Sequence, residues 1–317
     1  MGKNHLHNAS AYGGSGWSPR SSPLRDEIGS VWGRFGQANE WAPLRTVMVH
    51  RPGSELAVEQ DPDAVQMLDK LDMENARVQH DMLVDAFTKA GVKVYDVAPK
   101  GSASPNQMFV ADLLFMTPEG AILARPASIV RAGEERWVAR RLADLGIPIL
   151  KSVRGQGTFE GADAAWISPS TVLLGRGLRT NAEGASQVTG LLHEMDVRVI
   201  IVDLPYGTMH LMGILRFADQ GLALAWPERL AYSAVEALRE NGFTVHFIPD
   251  VGEATRGFAL NFVTVAPGKI LMPAGNPMTQ SFYESMGITC LTVDISELAK
   301  AAGAVGCLTG IIEREKI

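Results

Sequence analysis

Cysteine is almost missing from this chain: 317 residues hold only Cys290 and Cys307, in neither a Cys-x-x-Cys nor a disulfide-framework spacing. That excludes a stapled secreted scaffold and makes a reducing, cytoplasmic setting the expectation. Blocks of one charge sign are missing too. The net charge is −6 with acids and bases interspersed, so no basic face invites nucleic acid or an anionic membrane. The run Gly175-Arg176-Gly177-Leu178-Arg179 lacks the third glycine and the later acid of a dinucleotide fingerprint, and no phosphate loop is visible. No cofactor is implied.

What is present begins with a segment unlike the rest. Residues 1–40 are rich in Gly, Ser, Asn and Pro and hold no apolar run fit for a signal peptide or membrane span. Trp17, Trp32 and Phe35, with Trp41 just beyond, argue against a fully disordered tail. The segment reads as an N-terminal extension packed on the body or as a mobile terminus. His5 and His7 lack the carboxylate or thiol partners of a metal site, so no metal is expected. Residues 41–317 read as one catalytic domain with a sizeable core.

In that domain the pattern strand, amphipathic helix, stop, strand recurs five times. The helices are expected at 74–90, 133–145, 182–195, 233–241 and 279–286. Gly91, Gly146, Gly242 and Gly287 stop four of them. The flanking strands are expected at 44–50 and 92–97, 121–125 and 147–153, 172–175 and 197–202, 222–226 and 244–248, and 270–273 and 288–293. A short apolar stretch links each unit to the next. Units of roughly fifty residues that cannot bury their own faces point to a closed ring.

Asp112, Glu160, His210, Asn261 and Cys307 recur in the linking stretches at that same period, so in a ring they would face one axis. Cys307 stands among small residues, Ala301 to Gly310, where backbone amides are open to a ligand. A thiolate with an imidazole suits attack on an sp² carbon, whereas two extra carboxylates suit a cationic electrophile. This set points to a guanidino substrate. Asp112 and Glu160 would clamp the guanidinium, Cys307 would attack it, and His210 would carry protons through a covalent thiouronium intermediate. Asp163 would orient His210 or a pocket amide, or else serve as a turn residue. Metal binding by the acids with His210 is disfavoured, since they lie on separate modules.

The chain resembles the guanidine-modifying, or pentein, superfamily over about residues 44–312, and within it the dimethylarginine dimethylaminohydrolases, with arginine deiminases and amidinotransferases as cousins. The resemblance rests on Phe109-Val110-Ala111-Asp112, Gly157 to Asp163, Leu178 to Gly184, Met209-His210-Leu211, Met272 to Gly275 and Gly306-Cys307-Leu308. It implies an α/β fold, a five-bladed α/β propeller of ββαβ-type modules around a central site. It also implies catalytic Cys307, His210 and Glu160, guanidinium binding by Asp112, pocket support by Asn106, and carboxylate binding by Arg131 and Arg179.

There are departures. Met212 stands where deiminases have an aspartate, Ala111 where typical dimethylaminohydrolases have a glutamate, and Ala162 where a second glycine is usual. The resemblance therefore implies a cysteine hydrolase of linear amidines that releases an amine and a ureido product from a substituted guanidine. Amidino transfer to an amine, deiminase-like activity and a non-catalytic binding protein are the alternatives. The partner is a small guanidino molecule, and homo-oligomerisation stays open. Cys290, inside an apolar strand, reads as core, and Asn261 as a residue that satisfies backbone groups.

Overall fold

The computed structural model describes residues 16–56 and 61–316, so His5 and His7 lie outside the described residues. Five three-stranded sheets share one construction. In one, Leu114–Thr117 forms an antiparallel hairpin with Gly120–Leu123, which pairs in parallel with Ile149–Ser152 after the helix Glu135–Asp144. The same order recurs with the helices Ala182–Glu194, Tyr232–Glu240 and Pro277–Ser285. The remaining sheet joins the two ends of the domain. Gly310–Arg314 pairs antiparallel with Leu44–Val49, which pairs in parallel with Lys93–Asp96 after the helix Met73–Lys89. The result is a five-bladed α/β propeller. The apolar stretches between the sequence modules are the first strands of these hairpins.

Local chemistry accounts for the boundaries. Asp72 accepts hydrogen bonds from the amides of Glu74 and Asn75 and starts the first blade's helix. The fifth blade's helix begins at Pro277, before the expected residue 279, because proline suits a first-turn position that needs no N–H donor. Gly91, Gly146, Gly242 and Gly287 adopt positive φ after their helices, whereas the third helix is followed by Asp196 at φ 59°. The hairpin strands Leu114–Thr117 and Gly120–Leu123 have no exposed residue, whereas the third strand of that sheet, Ile149–Ser152, is exposed at both ends.

The second and third blades pack on one another through large side chains. Trp166 stacks on Phe115 at 5.7 Å and donates its indole N–H to the carbonyl of Met116 at 3.0 Å. At the axis, short 3-10 turns from successive blades meet backbone to backbone. A side chain at Gly161 would strike the carbonyls of Leu114 and Ala111, so only glycine allows this approach. The amide of Ala111 donates to the carbonyl of Cys307, and that of Gly306 to Asn261. Among the described residues no helix is long and apolar enough to cross a membrane.

Residues 33–40 pack on this body. Phe35 is buried, Gly36 exchanges backbone hydrogen bonds with Ile312 and Arg314, and Glu40 accepts the Trp166 amide at 3.0 Å.

Candidate active site

The turns that meet at the axis carry the polar side chains. Asp112 ends the turn Val110–Asp112, and Glu160 precedes the turn Gly161–Asp163. His210, in extended backbone, precedes Leu211–Gly213. Placing the residue at the turn edge lets its side chain reach the centre while its backbone stays in the ring. His210 Nε2 lies 2.6 Å from Glu160 Oε2, and its Nδ1 lies 3.8 Å from Asp112 Oδ1. Burial opposes charge on the imidazole, but Asp112, Glu160 and Asp163 outweigh it and raise its pKa to about 9. Burial also opposes ionisation of Glu160, yet His210, Arg131 and Arg179 bring its pKa down to about 2. The two form an ion pair.

Arg131 is the centre of the arrangement. It ends the turn Ile129–Arg131, whose first residue is preceded by the capping Ser128. Its guanidinium reaches Asp112 Oδ2 at 2.6 Å, Glu134 Oε2 at 2.8 Å and Glu160 Oε2 at 3.6 Å. Burial works against its charge, but Glu134, Asp112 and Glu160 hold the proton and raise its pKa above the ordinary arginine value. Arg179 lies more loosely on the other oxygen of Glu160, at 3.4 Å. Glu134 was not singled out by the sequence; the signal was its position three residues after Arg131 at a helix start.

Asp163 has both oxygens occupied, by the Thr180 hydroxyl at 2.6 Å and the Leu211 amide at 3.0 Å. Burial raises its pKa to about 6. These bonds hold the backbone just after His210. The Thr158 to Glu160 segment is fixed from behind by Asn181, which accepts from the Thr158 and Gly184 amides. Gly184 has no room for a side chain against Thr158. Asn106 donates to the Val65 carbonyl at 2.8 Å and helps to wall the cavity.

Asp112, Arg131, Arg179, His210, Asn106 and Cys307 line one small cavity of ≈ 30 Å³, together with Gln66 and Met209, which sequence reasoning missed. One Asp112 oxygen, Oδ1, is buried there without a hydrogen-bond partner. Asp112, Glu160 and His210 could each offer a ligand atom to one ion, these atoms lying within 4.8 Å of one another. That donor set fits a cation poorly, because the Arg131 guanidinium and the His210 proton already neutralise it.

The expected cysteine hydrolase with a covalent thiouronium intermediate is corrected by this geometry. The tight ionisable cluster is Asp112, Glu160 and His210, and it contains no cysteine. Cys307 lines the cavity but is tied to Asn261, whose amide Nδ2 donates to its sulfur at 2.9 Å and whose Oδ1 accepts its backbone N–H. Burial and the Asp112 charge raise the thiol pKa, which works against the thiolate that this route needs. The imidazole expected to serve it is paired with Glu160 instead. Asn261 thus satisfies a backbone group, as expected, and the sulfur as well. Cys290 is a half-buried free thiol against the fifth blade's core.

No family model matches the chain. It is 26% identical over 242 residues to the N(G),N(G)-dimethylarginine dimethylaminohydrolase of Pseudomonas aeruginosa, covering 76% of this chain and 90% of that protein. The Streptomyces coelicolor protein of the same name is 27% identical over 273 residues, covering 84% and 96%. A crystal structure of a dimethylarginine dimethylaminohydrolase adduct with 4-chloro-2-hydroxymethylpyridine superposes with a TM-score of 0.71 at 25% identity, covering 86% of this chain and all of the other. The chain is an enzyme of the guanidine-modifying, or pentein, superfamily. Within this pentein, Met212 does not line the small cavity but stands in the walls of two adjoining spaces.

Proposed function

We propose that this pentein hydrolyses a C–N bond of a small guanidino amino acid in the cavity lined by Asp112, His210, Arg131 and Arg179, with Glu160 buried against His210. The observation that carries this reading is the buried, unpartnered Oδ1 of Asp112 beside a charged imidazole. It is an acceptor suited to a planar N–H donor, and a guanidinium supplies one. The dimethylarginine dimethylaminohydrolase relatives support the same substrate class.

Hydrolysis places an oxygen from water on the central carbon and a proton on the departing nitrogen. His210, protonated and held by Glu160, is the group able to supply that proton. Arg179, loosely paired and at the cavity wall, is free to turn to a substrate carboxylate, while Arg131 stays paired with Asp112 and lies 3.6 Å from Glu160. Asp163 and Asn106 position the walls, and Cys307 is a wall residue facing the substrate. In this reading residues 41–317 are the catalytic unit, and a cytoplasmic setting suits its two free thiols.

Incubation with a panel of guanidino amino acids, followed by mass spectrometry for the ureido product and the released amine, tests the reading. The parent should consume at least one member and His210→Ala should not. A parent that consumes none would sink it.

A further inference from the structure

Beside the guanidine cavity lies a second one of ≈ 190 Å³, and His210 and Cys307 line both. Its remaining walls come from the third, fourth and fifth blades: Met212, Ile214, Trp226, Phe258 and Leu260, with Arg229 standing over the Trp226 ring at 4.5 Å. Among the described residues no carboxylate lines it, so a second cationic group has no partner there. The volume is many times the roughly 10–15 Å³ that admits one water. It also far exceeds the ≈ 30 Å³ of the charged cavity, which suits only a planar head.

Phe258 has φ 52°, a left-handed backbone that bulky residues rarely adopt, and its carbonyl accepts the Asn261 amide at 2.7 Å. Strain of this kind persists where the surroundings over-determine it and gathers at ligand sites.

We infer that the substrate carries a bulky apolar substituent on the nitrogen that departs, seated in this second cavity while the guanidine head lies between Asp112 and His210. The inference rests on the guanidino reading and adds the substituent to it. A methyl group would leave most of the space empty, whereas an unbranched butyl or a benzyl group would lie against Trp226 and Leu260.

Arginines alkylated on one terminal nitrogen with methyl, butyl or benzyl test it, with kcat/KM for amine release as the readout. The expected gain is about fourfold for each added methylene, with benzyl at least as good as butyl. Gly213 lines this cavity and an added Cβ there would meet nothing within 4 Å, so Gly213→Leu is the substitution chosen to narrow it. In that variant the benzyl-to-methyl ratio should fall at least tenfold. Turnover of the methyl compound with no gain for butyl or benzyl in the parent would overturn the inference and leave the guanidino reading standing. So would a ratio unchanged in Gly213→Leu. If no member of the series is bound or turned over, the guanidino reading falls and the inference with it.

Discussion

Two charged spaces lie along the axis of this molecule, and they treat buried arginine in opposite ways. In the front cavity Arg131 is 4% exposed and meets three carboxylates, and its pKa rises. In the rear space Arg314, also 4% exposed, has no ion pair among the described residues, and burial brings its pKa down to about 10. Arg216 shares that space and is lowered for the same reason. Among the described residues their only acid there is Glu40, which burial pushes up and which bonds to Trp166 and Gln37 instead of to either guanidinium. Arg314 donates to the carbonyls of Ala42 and Thr264 while its Nε has no partner, and Arg216 donates to the Phe262 carbonyl. Equal burial with opposite shifts shows that direct carboxylate contact, rather than depth, decides whether a guanidinium tolerates the interior.

The largest expected effect is on activity. His210→Ala should lower kcat/KM by about 10²–10⁴, measured as amine release from whichever guanidino amino acid the parent consumes. Arg314→Met, in the rear space, should change it only a few-fold. A comparable loss from the rear substitution would break the division between the two spaces.

Stability should divide the same way. Arg131→Met leaves the Asp112 and Glu134 carboxylates buried without their cation, at a cost of about 3–5 kcal/mol by urea unfolding. Arg314→Met leaves two carbonyls without donors but also removes an unpaired buried charge, so its net cost should stay below about 2 kcal/mol. Equal costs would mean that the backbone bonds of Arg314 matter as much as the carboxylate contacts of Arg131.

A smaller effect depends on pH. The His210 pKa is raised from 6.5 to about 9, so the folded state binds its proton more tightly than the unfolded state does. Its stabilisation is fully present below pH 6.5 and is lost as pH rises through about 9, by about 3 kcal/mol in all. His50, raised to about 9 by Asp96 and Glu55 against its burial, titrates in the same window. The His210 share is therefore the part of the decline that disappears in His210→Gln. A decline identical in both proteins would show that the imidazole is not held charged by its neighbours.

Much of the front space was legible in the sequence, because a closed ring repeats its interior positions at the period of its blades. Asp112, Glu160 and His210 could be placed together on that ground alone. The helix stops were equally readable at Gly91 or Gly146, where positive φ favours glycine, but not at Asp196. Spacing says nothing about where a long side chain goes. Arg131 could be marked as a pocket residue, yet its three-carboxylate contact depends on a guanidinium crossing between blades. The rear space was illegible for a related reason. Glu40 comes from the segment read as an extension, and Arg216 and Arg314 sit on strands where alternation predicts only an inward or outward face. Cys307 was placed in the right wall, but its tie to Asn261 is a contact between blades that no local pattern signals.

That thiol senses both spaces at once. Asp112, in front, raises its pKa, while Arg216, behind, lowers it, and burial dominates both. Asp112→Asn should therefore bring the Cys307 pKa down and Arg216→Met should push it up. The readout is the rate of iodoacetamide alkylation against pH, followed on the peptide that contains Cys307. Cys290, raised to about 11 by burial and then by Glu284, lies outside both spaces and serves as the internal reference. Shifts of the same sign in the two variants would mean that the substitutions act by altering access to the sulfur. Opposite signs would show that a single atom between the spaces is governed by a paired acid on one side and an unpaired base on the other.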